Sequence, residues 1–433
     1  MRTGTYRLGL GLITATALAV RVAYTATVTR HQPIMMDEVY YTGTAHQFVS
    51  GDGFTSFGFP EPAGTHLADH PPLTSLVLAP WVWLTGVYGD MPRYVMAVLG
   101  AVVVLLIARI ADEVGGRRVS LVAAGLAAVY PNLWVNDGLL MSETLAALTT
   151  ALVVWLALRL WRGTATVAAA ALAGICVGAS GLARAELLLF LPLLVVPVVL
   201  TLPDEARGRR LRLAGVATLA CAVTVAPCIA YNVSRFDEPV LMSLDGGTLL
   251  GANCDLTYYG PETGTWNGYC TIRLPGGDAS DDSVAMRRAA FTYMGDHVGR
   301  LPAVAAARVG RLWSVFRPFD PVDRYAAEGR PRWISTTGVL SLWVVAGLAV
   351  AGGASLRRRG GGHLLVLLSP LVVVTAVSVV AYGRERFRVP AEVALIVLAA
   401  LAVERRLPAA PPGPVAEATE PEDAALVGVS RSA

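Results

Sequence analysis

Apolar blocks of about 17–22 residues, separated by short arginine clusters, constrain this chain more than any other feature. A helix of that length crosses a hydrocarbon core roughly 30 Å thick. The composition agrees: of 433 residues 54% are hydrophobic and only 15% charged, where soluble domains carry about 25% charged residues. The expected fold class is an all-α polytopic membrane protein. A net charge of +3 in such a chain gives no indication of nucleic acid as a partner. All of the basic charge apart from histidine is arginine, with no lysine, a bias that points to a GC-rich bacterial genome and a bacterial cytoplasmic membrane.

The arginine clusters also set the expected topology. They comprise Arg2 with Arg7, Arg117 with Arg118, Arg159 with Arg162, "ARGRRLR" at 206–212, "RRR" at 357–359, and Arg405 with Arg406. Basic residues in short loops stay cytoplasmic. Placing every cluster inside yields ten spans, near 6–28, 92–111, 119–136, 144–161, 164–183, 186–202, 213–231, 338–355, 364–381 and 391–404. Both termini are then cytoplasmic. The first block carries Arg21 and lacks a small-x-small cleavage site, so it reads as an uncleaved span. The block "PPLTSLVLAPWVWLTGVY" at 71–88 is apolar, but as an eleventh span it would invert every later cluster. Its prolines and tryptophans suit the interface. It is expected to lie on the outer face, within a first external loop of about 30–91.

The expected domains are a transmembrane catalytic module at 1–231, a small mixed external domain at 232–337, C-terminal spans at 338–404 and a disordered cytoplasmic tail at 405–433. In the external domain Cys254 and Cys270 bracket a loop in a compartment that permits disulfides, and a bridge between them is expected. The loop aromatics Tyr258, Tyr259, Trp266 and Tyr269 either stack on a sugar or pack a small core.

With this topology the unusual polar residues face one compartment. The first loop supplies Asp37, Glu38, Tyr41, Asp69 and His70; "NDGLLMSET" supplies Asn136, Asp137 and Glu143. "GLARAE" supplies Arg184 and Glu186, and "YGRERFRVP" supplies Arg384, Glu385, Arg386 and Arg388. Ionisable groups at membrane depth usually line a cavity or a pathway. Acids and arginines together suit an anionic headgroup and a proton transfer. Asp37, Asp69, His70 and Glu143 also offer oxygen and nitrogen donors for a divalent metal ion, the one cofactor considered.

The segments "DEVYY", "HPPL", "LMSETL" and "GRERFRVPAE" resemble, in type and order, the GT-C superfamily of membrane glycosyltransferases. The resemblance is greatest to glycosyltransferase family 39, the protein O-mannosyltransferase-like branch that also resembles the aminoarabinose transferase. It implies a polyprenyl-phosphate-sugar donor, an extracytoplasmic acceptor hydroxyl on protein, glycan or lipid, and inversion at the anomeric carbon. It further implies two interfacial helices in the first loop, Asp37 as general base and Glu143 in a second acidic motif. Relatives often carry lysine before the double proline, where this chain has His70. Phosphate binding is therefore expected to fall on Arg184 and Arg386, with Glu38, Tyr41, Asp69, His70, Glu143 and Arg384 as further substrate-binding residues. The alternative is a polyprenyl-lipid or glycolipid transporter, which predicts midplane charges and internal repeats; a catalytically silent scaffold is a third reading.

Overall fold

The structure, a computed structural model, describes residues 3–407 apart from 36, 59–60, 164, 204, 273, 275–276, 321–327, 359 and 361. Nearly all of the tail expected at 405–433 therefore lies outside the described residues.

The protein is an all-α, multi-pass membrane protein. The first half contains α1 (Thr3–Thr27), α2 (Asp37–Ser50), α3 (Leu73–Thr85), α4 (Met91–Val129), α5 (Pro131–Trp134), α6 (Glu143–Trp161), α7 (Val167–Ala183), α8 (Val196–Leu200) and α9 (Arg207–Val233). The second contains α10 (Gly246–Ala252), α11 (Asp255–Tyr258), α12 (Ala279–Asp296), α13 (Leu301–Leu312), α14 (Arg332–Arg357), α15 (Gly362–Val380) and α16 (Val389–Glu404). Among the described residues six helices are long and apolar enough to cross a membrane: α1, α4, α6, α9, α14 and α15.

The two expected spans 92–111 and 119–136 are the two helical arms of α4, which meet at Gly116 and lie side by side, Ser120 Oγ donating to the Ala108 carbonyl at 2.8 Å. Chain direction reverses inside α4 at Gly116, whose φ of 79° falls in the left-handed region that glycine enters without steric cost. The second arm ends at Val129, short of the expected 136, because Pro131 starts a new turn. The segment 185–200 is broken into a 3-10 turn, a π-helical turn and α8, with Pro192 and Pro197 at the joints. The last helix, α16, is apolar on every side and buried over Val389–Ala402. Such a helix belongs in the centre of a bundle.

The bundle has two chemically different ends. At one, Arg162 donates to Glu113 at 2.6 Å, Arg209 to the Ala165 carbonyl at 3.0 Å, and Arg118 lies 3.8 Å from Glu404. The acids and arginines of the candidate site gather at the other.

The first loop caps that second end. Helix α3 has 13 residues, which at 1.5 Å per residue gives about 20 Å, well short of a hydrocarbon core. It packs on α2 through Leu78, Ala79 and Val82 against Tyr40, Tyr41 and Ala45. The expected mixed external domain is instead helical: no strand occurs among the described residues, and the one isolated bridge joins Thr55 to His66. Buried Arg308 fastens this segment to the bundle, donating to the Val379 carbonyl at 3.0 Å and to Ala252 at 2.6 Å. The Cys254 and Cys270 sulfurs are bonded.

Candidate active site

Asp37 and Glu38 form the first turn of α2, where carboxylates favour the positive end of the helix dipole. Successive residues on a helix point about 100° apart, so the two acids part company. Asp37 faces an open cavity. Glu38 turns into the bundle, where Oε1 accepts from Arg93 Nη1 at 2.9 Å and from the Leu140 amide at 2.8 Å. Glu38 lines neither cavity at the site. Its expected substrate contact is corrected to a structural one: both its charge and its main acceptor oxygen are already taken inside the protein.

Asp37 is enclosed by residues from distant parts of the chain. Its Oδ2 accepts from Arg386 Nη2 at 2.8 Å, and Oδ1 lies 3.8 Å from His70 Nε2. Burial alone would push this carboxyl up, but Arg386, His70 and Arg384 outweigh it and hold it well below the ordinary carboxylate range. Tyr41, one turn on and therefore on the same face, is buried beside it. Both Tyr40 and Tyr41 pack against the His70 ring, with centroids at 4.8 and 5.2 Å.

Glu143 opens α6 and is only 1% exposed. Arg386 Nη1, Arg330 Nη2 and Arg184 Nη1 stand 3.5, 3.8 and 4.0 Å from its Oε1. Neither oxygen has a hydrogen-bond partner. Arg184 follows the end of α7, pairs with Glu186 at 2.7 Å and lies over the Phe387 ring. The turn before α16 sends its arginines apart. Arg384 pairs with Glu328, Arg386 with Asp37, and Arg388 with Glu392 inside the bundle at 2.6 Å.

Two adjoining cavities meet at Asp37. One, of about 450 Å³, is walled by Glu328, Arg384, Tyr382 and Trp266. The other, of about 420 Å³, runs past Tyr41 and Arg184 to the apolar side chains of Leu249, Phe291, Val377 and Val380. Asp37, Asp69, His70, Tyr382 and Arg386 line both.

Residues 69–231 match the family model described as dolichyl-phosphate-mannose-protein mannosyltransferase. No curated protein matches the chain in sequence. In fold it is similar to the oligosaccharyltransferase of Archaeoglobus fulgidus in the apo form, with a TM-score of 0.56 and 14% identity over 93% of this chain and 50% of that one. The same archaeal enzyme, AglB, in complex with an inhibitory peptide and a dolichol-phosphate matches with a TM-score of 0.54 and 15% identity, over 92% of this chain and 50% of that one. ArnT from Cupriavidus metallidurans bound to undecaprenyl phosphate matches with a TM-score of 0.46 and 18% identity, over 94% and 79% of the two chains. The fold is that of the GT-C glycosyltransferases. The chain spans about half the length of the archaeal oligosaccharyltransferase.

Within this GT-C fold, Asp37, Tyr41, Asp69, His70, Arg184, Arg384 and Arg386 all line the paired cavities, while Glu143 lies behind them. Sequence reasoning missed Arg93, Glu328, Arg330 and Tyr382. Arg93 sits in the first turn of an apolar helix, and "EGRPR" reads as a linker. Their one shared signal was position, at the site end of a span. Of the loop aromatics, Tyr258 is buried and donates to Asn253 at 2.7 Å, and Tyr269 is 93% exposed. Trp266 alone lines a cavity of the site, its Nε1 fixed on the Gly247 carbonyl at 2.9 Å. Asp37, Asp69, His70 and Glu143 do not converge as a donor set: Glu143 is ringed by guanidinium groups that repel a divalent cation, and an Asp37 oxygen is held by Arg386. The group that does converge among the described residues is Asp237, Asp278 and Asp281, where Asp278 is occupied as a helix cap.

Proposed function

We propose that this chain is an integral-membrane glycosyltransferase that moves a sugar from a polyprenyl-phosphate-sugar to an acceptor hydroxyl, with inversion at the anomeric carbon. The observation that carries the reading is the place of Asp37, at the junction of a cavity lined by Glu328 and Arg384 and one that reaches the apolar side chains of Val377 and Val380. A lipid-borne donor enters along Val377 and Val380, with its phosphate against Arg184 and Arg386. Arginine's planar fork suits phosphate oxygens. The acceptor enters the first cavity past Trp266 and Arg384. The AglB structure with a dolichol-phosphate supports a lipid-phosphate ligand for this fold.

In the reaction the acceptor oxygen bonds to the anomeric carbon while the bond from that carbon to the phosphate oxygen breaks. The electron pair leaves with the polyprenyl phosphate, and the acceptor proton passes to Asp37. General-base assistance of this kind contributes about 10²–10⁴-fold. Asp69, His70 and Tyr41 shape the sugar's place beside the base, and Glu143 holds the arginines. The site end lies opposite the arginine-rich end, so the positive-inside rule puts it on the extracytoplasmic face of the plasma membrane.

The test is deletion of the chain in its own host, with complementation by wild type and by Asp37→Asn. Envelope glycans, lipids and glycoproteins are then compared. A glycosidic linkage lost on deletion, restored by wild type and not by Asp37→Asn, supports the reading. An unchanged envelope with a defect in lipid translocation rejects it in favour of a transporter.

A further inference from the structure

Arg386 makes an incomplete set of bonds. Its Nη2 donates to Asp37, its Nη1 stands 3.5 Å from Glu143, and its Nε has no hydrogen-bond partner although it is buried. The side chain is 10% exposed and lines both cavities. Glu143 is equally incomplete, with both oxygens buried and without a hydrogen bond, while the guanidinium groups of Arg386, Arg330 and Arg184 stand 3.5–4.0 Å away as ion pairs. Buried charged groups are normally paired and hydrogen-bonded. An arrangement short of bonds on both sides suits a guanidinium that has a second resting place.

We propose that Arg386 is a cation shared between Asp37 and the donor phosphate: lipid phosphate draws the guanidinium off Asp37, so the carboxylate is freed as a base only when the donor is bound. The inference rests on the glycosyltransferase reading and adds a link between its two halves. Arg184 and Arg386 both line the second cavity, where one phosphate can meet both guanidinium groups. As Arg386 turns, its unbonded Nε faces the incoming oxygens and Glu143 stays within reach as counter-charge.

The charge balance runs the same way through the reaction. The donor is a phosphodiester with one negative charge, and its leaving group is a phosphomonoester that can carry two. Negative charge leaves Asp37 as it takes the acceptor proton, and appears on the phosphate as the glycosidic bond breaks. A guanidinium between the two follows that charge, an interaction that strengthens in the transition state. The field of Arg386 that holds the Asp37 carboxyl low is the field that departs.

The experiment is a double-mutant cycle on the full chain in lipid nanodiscs, with undecaprenyl phosphate as the probe and affinity read by titration. Asp37→Asn releases Arg386 and is expected to tighten binding five- to thirtyfold. Arg386→Ala is expected to weaken it at least tenfold, and Asp37→Asn in that background to add nothing. Arg386→Gln serves as the second background should the alanine variant fail to fold. A gain from Asp37→Asn that persists without Arg386 is general charge repulsion, and overturns the sharing. Equal binding by Asp37→Asn and wild type also overturns it, while leaving the glycosyltransferase reading in place. Failure of wild type to bind undecaprenyl phosphate counts against both.

Discussion

Glu38 Oε1 accepts a hydrogen bond from Arg93 Nη1 at 2.9 Å, whereas its neighbour Asp37 lines the cavities. The pair joins the start of α2 to the start of α4 and receives the Leu140 amide as well. Glu38→Ala leaves Arg93 buried without its partner, a change that costs about 3–5 kcal/mol. Thermal unfolding in detergent is expected to show that loss. Glu38→Gln, which keeps an acceptor, is expected to lose less and to retain sugar transfer per folded molecule within a few-fold. A folded Glu38→Gln protein with abolished transfer would return Glu38 to the reaction.

Arg21 and Asp137 form a second buried pair at 2.6 Å, with Thr144 donating to the other Asp137 oxygen at 2.8 Å. Arg21→Met alone strands a buried acid and is expected to lower folded yield sharply. Arg21→Met with Asp137→Leu removes both charges, and apolar replacement of a whole pair is often neutral or stabilising. Size-exclusion profiles compare the two. A double variant no better than the single would show that the pair does more than join α1 to the turn before α6.

Asp278 caps α12, accepting from the Ser280 amide at 2.7 Å and the Asp281 amide at 3.2 Å. Burial raises its carboxyl, but the bonds from Ser280, Asp237 and Asp281 together outweigh it and lower the carboxyl below its ordinary value. Its folded-state pKa is therefore below the unfolded value near 3.9. The stability it contributes is fully present above that value and is lost as pH falls through the folded-state pKa. Asp278→Ala is expected to cost about 1 kcal/mol at neutral pH and to reduce the acid dependence of unfolding of this segment, read by hydrogen exchange. An unchanged acid profile would contradict the cap.

Trp266 is the loop aromatic that reaches the cavity lined by Arg384 and Glu328, tilted 36° to Tyr382 with ring centroids 6.4 Å apart. Trp266→Ala is expected to raise the acceptor KM roughly tenfold, about 1.4 kcal/mol, with undecaprenyl phosphate affinity unchanged. Weakened lipid binding instead would move the acceptor path away from this cavity.

The apolar blocks and arginine clusters made the bundle and its two ends readable, since membrane thickness and loop charge act on chemistry that sequence displays directly. The same rule gave 71–88 a surface position as an expectation, and α3, with 13 residues, is shorter than a membrane span. Side-chain direction did not follow. Asp37 and Glu38 look equivalent as letters, and only the 100° step of a helix gives them opposite surroundings. Arg384, Arg386 and Arg388 likewise alternate in sequence yet find three different acids, because the turn before α16 fans them out. Glu328 and Arg330 were hidden by distance: their partners Arg384, Asn136 and Glu143 come from other parts of the chain.

The most direct measurement is sugar transfer from a polyprenyl-phosphate-sugar by purified Asp37→Asn protein whose folding and undecaprenyl phosphate binding are intact. A fall of at least about 10²-fold relative to wild type is the predicted result for loss of a general base. Transfer retained at more than a few per cent of wild type would contradict it, and with it the placing of the reaction at the junction of the two cavities.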